Sequence, residues 1–154
     1  MPKEFQIQKK KLEFRFAEDA ALRASIGLRE MELKTAQDVL DTAGKAFMEY
    51  NRAYRRDFER YQTALNLGET LEENEQTHYN TLKALKEEVE TNVANSRNQK
   101  DSLKQRIIDL KLEQDLLKNK REIEDIDFAL QQKITKEKQK QLKDEKSLKL
   151  GKKS

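Results

Sequence analysis

Glu75 and His78 stand three residues apart. Helical bundles that hold two iron ions present a carboxylate and an imidazole from one helix face at that spacing. Such a centre needs two of these pairs with further carboxylates facing them, and His78 is the only histidine here. One chain cannot build it, so His78 reads as a polar residue near a turn. No metal or other cofactor is expected. The 29 carboxylates are scattered, with no pocket to shift their ionisation. There is no cysteine nucleophile, no Ser–His pair carried on a loop and no glycine-rich phosphate loop. No residue qualifies as catalytic, and an enzyme is not expected.

Two other groups of residues could engage partners. Phe47, Tyr50, Tyr54, Phe58 and Tyr61 are spaced 3, 4, 4 and 3, which puts them on one helical face. Arg52, Arg55, Arg56 and Arg60 interleave with them. The cluster reads as a thick stretch of apolar seam with arginines at its edges. Alternatively, Tyr50, Arg52, Arg55, Arg56, Phe58 and Arg60 form a partner surface, since interfaces favour tyrosine and arginine. Stacking on nucleic-acid bases is a third reading, weakened by Asp57 and Glu59. The second group is basic. Residues 133–154 hold nine lysines, among them Lys133, Lys136, Lys138, Lys140, Lys143 and Lys146, against Glu137, Asp144 and Glu145. Such an end is a solvated tail, or it docks on an acidic protein, a nucleic-acid backbone or anionic lipid. It has no arginine or aromatic residue to read bases. Leu142, Leu148 and Leu150 are too few for a membrane face.

Helices must carry both groups. Ile26, Leu33, Leu40, Phe47, Tyr54 and Tyr61 recur every seven residues, close to two helical turns. Leu22, Arg29, Ala36, Ala43, Tyr50 and Asp57, each four residues earlier, complete the seam in part. A stripe so narrow needs another helix beside it. A second column follows: Leu82, Val89, Ser96, Leu103, Leu110 and Leu117. Asn92, Ser96 and Gln99 are polar members of that stretch. They either fix register at a cost in stability or face water.

Composition agrees with this fold. Of the 154 residues, 40% are charged and 35% hydrophobic, with four glycines and one proline, Pro2. That is too few turn residues for β architecture. Disorder shares the low hydrophobicity, but the net charge is only +3 and the apolar residues are periodic. The expected class is all-α, a long helical hairpin or an extended coiled coil without a globular core.

The one break in the pattern is Asn66-Leu67-Gly68-Glu69-Thr70-Leu71-Glu72-Glu73. Gly68 suits the left-handed residue that ends a helix, and Thr70 with Glu73 has the capping-box spacing that starts one. The expected organisation is a first long helix over 1–66 with Pro2 in its first turn, a turn at 67–70, and a second long helix over 71–132. A basic end over 133–154 frays or stays helical. One feature favours a continuous rod instead. Tyr61 and Leu82 lie 21 residues apart, so the seven-residue phase survives the break. After Leu117 the apolar phase slips to Leu116, Ile123 and Leu130, as at a stutter.

The expected function is structural and non-enzymatic: a coiled-coil building block or adaptor in a large assembly, such as a virion-internal or portal-associated component or a secretion-type apparatus. Protein partners, including further copies of the chain, are expected, and nucleic acid is the weaker candidate. No apolar run reaches the length of a membrane span or a secretory signal, so a cytoplasmic or virion location is expected. The segments LREMELKTAQDVL (28–40) and KEKQKQLKDE (136–145), in their helix–turn–helix order, resemble the stalk proteins of flagellar and type III secretion ATPases. That resemblance implies a hairpin inserted into a hexameric ATPase, with no catalysis of its own. A nucleic-acid or acidic-partner binder acting through the basic end is the remaining alternative.

Overall fold

The structure, a computed structural model, describes the backbone of residues 3–152 and the side chains of residues 3–149. Pro2 and the side chain of Leu150 lie outside the described residues. Two helices account for the rest: α1, Lys3–Asn66, and α2, Glu73–Lys152. No strand occurs among the described residues. The chain divides into two compact units, Met1–Leu110 and Lys111–Ser154.

In the first unit the turn folds α2 back along α1, so the hairpin and not the continuous rod is what this sequence forms. The phase kept between Tyr61 and Leu82 is a coincidence of turn length. Gly68 ends α1 with φ at 82°, in the left-handed region. Its amide bonds to the Leu65 carbonyl at 3.0 Å and the Glu69 amide to the Ala64 carbonyl at 3.0 Å. This pair of bonds satisfies carbonyls that the helix end leaves open. A side chain at residue 68 meets no neighbour, so any penalty there is one of backbone conformation. Gly68→Val should therefore cost about 1–2 kcal/mol and lower the thermal midpoint of helix loss, measured by circular dichroism. A straight rod would gain from the same substitution. An unchanged or raised midpoint would show that no left-handed residue sits at the break.

The start of α2 differs from the sequence expectation. The box does not form between Thr70 and Glu73. One half of such a box lies two residues on, where the Glu72 amide donates to Glu75 Oε1 at 3.4 Å, and the Gln76 amide opens the helix by bonding the Glu72 carbonyl at 2.8 Å. The turn is thus 67–72, and α2 begins at Glu73 rather than at residue 71. The apolar side chain of Leu71 packs against the buried cluster beside the turn. That contact holds residues 70–72 out of the helix.

Between α1 and α2 the seam is two side chains wide. From α1 it takes Ile26, Ala36, Tyr50, Phe58 and Tyr61 as buried members, with Leu33, Leu40, Ala43 and Phe47 half-buried. From α2 it takes Tyr79, Leu82, Val89, Ser96, Ile107 and Leu110, with Val93 and Leu103 half-buried. The α2 members stand three, four or seven residues apart, as a narrow coiled-coil stripe requires. In the second unit α2 continues as helix through the lysine-rich stretch, where Leu117 is half-buried.

Candidate functional site

The best-ordered chemistry is an aromatic clasp beside the turn. Phe58 and Tyr79 stack at 5.5 Å with planes 8° apart, and Tyr61 meets Tyr79 edge-on at 6.4 Å. With Leu82 these rings form the buried cluster, joined by Leu65 and Leu71. The polar tips are all engaged. Tyr61 Oη lies 3.1 Å from His78 Nδ1, and Tyr79 Oη donates to Gln62 Oε1 at 2.7 Å. Lys86 Nζ sits 4.9 Å over the Phe58 ring and Arg60 5.1 Å over Tyr61. His78 is thus a cross-helix partner of Tyr61, and Glu75 caps the Glu72 amide. Among the described residues no three His, Cys, Asp or Glu side chains converge as a metal would need.

The proposed arginine-rich surface needs correction. Tyr50 and Phe58 are only 4% and 9% exposed, so neither can meet a partner. Tyr54, expected in the seam, is 40% exposed. The cause is a change of repeat in α1. Phe47 and Tyr50 recur as Phe58 and Tyr61, eleven residues on, and an eleven-residue advance rotates the apolar stripe past Tyr54. The repeated Phe-x-x-Tyr was the available signal. Arg52, Arg55, Arg56 and Arg60 are all exposed. Arg55 Nε pairs with Glu59 at 2.9 Å, and Arg60 approaches Asp57 at 4.0 Å. Ile107, buried on α2, is a further seam member that the column of Leu103 and Leu110 did not include.

Tyr50 carries a shifted ionisation. Its hydroxyl is buried without a hydrogen-bond partner. Burial, then Glu90, then Glu59 raise its pKa above 10.0. Tyr50→Phe removes an unsatisfied hydroxyl and should raise the urea midpoint, by up to about 1 kcal/mol in stability. The pH dependence has a definite sign. Because the folded pKa is the higher one, the Tyr50 contribution is whole below pH 10 and is lost as pH rises through the folded value. The gap between variant and parent should therefore widen in alkaline urea titrations. A gap that narrows would contradict the buried placement.

Midway along the first unit, an open furrow runs between the helices. Its two stretches enclose about 530 and 480 Å³ and share Thr35, Val39 and Gln99. Ser96 is buried at its floor and donates to the Asn92 carbonyl at 2.6 Å. The polar members of the second column therefore split: Ser96 points inward, while Asn92 and Gln99 stay exposed at the rim. Lys133, Lys136, Lys138, Lys140, Lys143 and Lys146 are all exposed on α2 in the second unit. No helix among the described residues is long and apolar enough to cross a membrane.

Fold and site together define an all-α helical hairpin with an aromatic clasp beside its turn. No protein-family model matches the chain, and neither a curated protein nor a solved structure proves similar to it.

Proposed function

We propose that this chain is a non-enzymatic coiled-coil building block or adaptor of a larger assembly, of the virion-internal or secretion-apparatus kind. One observation carries the reading. Among the described residues 21 large apolar side chains are exposed, while ten apolar side chains make up the buried core. Single exposed leucines are ordinary on any protein. Here they recur on one helical face, as Ile7, Phe14 and Leu28 do on α1, and an apolar face left open in this way suits a partner. Covering it supplies about 25 cal/mol per Å², and the flanking charges choose which partner fits.

Gel filtration of a native extract tests this. The chain should elute in a complex several times its own mass and stay there through crosslinking and purification. Elution at monomer or dimer mass with no crosslinked partner would overturn the proposal. The stalk resemblance supplies a second reading, favoured by helices of 64 and 80 residues joined by a tight turn. Under it, the partner in that complex is a ring ATPase.

A further inference from the structure

In the second unit α2 carries an exposed apolar stripe and two blocks of opposite charge. Ile123, Ile126, Leu130 and Ile134 form a stripe along α2 and are 44–69% exposed. Around it the charge is segregated. Residues 122–127 carry Glu122, Glu124, Asp125 and Asp127 and no cation, while 133–140 carry Lys133, Lys136, Lys138 and Lys140 against Glu137 alone. The helix dipole acts only within the end turns, so it gives no reason for this order in mid-helix. The two blocks lie on opposite sides of Leu130, and Ile126 and Ile134 stand four residues to either side of it.

We propose that a second copy of this chain docks antiparallel on the stripe, with the two-fold axis beside Leu130. Leu130 then meets its equivalent, and Ile126 meets the second copy's Ile134. In an antiparallel pair each flank of the stripe faces the same flank of the other helix. On one flank Asp127 faces the second copy's Lys138; on the other Glu122 faces the second copy's Lys140. The symmetry repeats both contacts. All four side chains are exposed. Asp127 accepts a weak bond from Gln131 Nε2 at 3.4 Å, which leaves its other oxygen for the lysine. A parallel pair in register would set carboxylates against carboxylates and lysines against lysines, which like-charge repulsion opposes. Charge order thus selects the antiparallel partner, while the apolar stripe supplies the attraction.

This inference rests on the reading of the chain as an assembly component and names one of its partners. Sedimentation equilibrium of the purified full chain tests it. The parent should dimerise. Lys138→Glu with Lys140→Glu should weaken the dimer about tenfold, as should Glu122→Lys with Asp127→Lys. The quadruple variant, with the charges exchanged, should regain parental affinity. The chain lacks cysteine, so introduced thiols report cleanly. Ile126→Cys mixed with Ile134→Cys should give the mixed disulfide in excess over either like pair. A monomer at every concentration, half-exchanges that leave the dimer unchanged, a quadruple variant that does not recover, or like-position disulfides in excess would each overturn the pairing. A chain that pairs this way but runs as a lone dimer in native extract would overturn the assembly reading alone. A chain found in a large native complex with unchanged half-exchange variants would overturn the pairing alone.

Discussion

A Leu82→Asp variant should lose most of the stability of the hairpin. Leu82 is 2% exposed, the most deeply buried of the large side chains, and packs with Phe58, Tyr61 and Tyr79. Aspartate there loses the apolar contacts and strands a carboxylate away from water. Deleting a buried leucine side chain alone costs 2–5 kcal/mol in general, and the unpaired charge adds to that. The total, about 4 kcal/mol or more, is a large share of the 5–15 kcal/mol that holds a typical domain together. Lys86, one turn on, is a cation that could compensate, but its ammonium lies 4.9 Å over the Phe58 ring. Reaching residue 82 would give up that contact. Leu82→Met conserves volume and should cost less than about 1.5 kcal/mol. Urea titration followed by circular dichroism separates the two variants. A parental midpoint for Leu82→Asp would mean that α2 does not pack on α1 through this face.

Much of this architecture was legible because it depends on local rules. Gly68 stood out since a left-handed residue must end a helix that turns back at once, and few other residues accept that φ. The column of Leu82, Val89 and Leu110 was legible because α2 keeps a seven-residue period from Leu82 to Leu117, which a single sequence displays directly. Three features were not legible, each for a tertiary reason. The cap of α2 moved from Thr70 to Glu72 because Leu71 is drawn into the cluster beside the turn. Tyr50 and Phe58 read as seam by spacing but as a partner surface by type. Only the path of α2 decides that they are covered, and Tyr50 is buried even with its hydroxyl unpaired. Ser96 was recognised as a polar seam member, but nothing in its neighbours said whether it faced inward. The carbonyl of Asn92, one turn back, satisfies its hydroxyl and lets it stay buried.

The eleven-residue step in α1 is where local periodicity misleads most, and it gives the second large effect. A strict seven-residue column makes Tyr54 a seam residue and leaves Phe58 beside it. The structure reverses their weights: Phe58 is 9% exposed and stacked on Tyr79 at 5.5 Å, while Tyr54 is 40% exposed, its ring centre 6.2 Å from that of Tyr50. Phe58→Ala removes a ring from a close-packed stack and should cost about 3–4 kcal/mol. Tyr54→Ala should cost about 1 kcal/mol or less, as expected for a half-solvated ring. Both values come from urea midpoints with equal slopes, since a changed slope would signal a different unfolded state. The opposite ranking would restore the unbroken seven-residue seam and turn Phe58 outward. Phe58→Leu adds a finer test, because it keeps apolar bulk but loses the stack on Tyr79 and the seat for Lys86. It should fall between the parent and Phe58→Ala, whereas a residue on an open face would tolerate leucine and alanine alike.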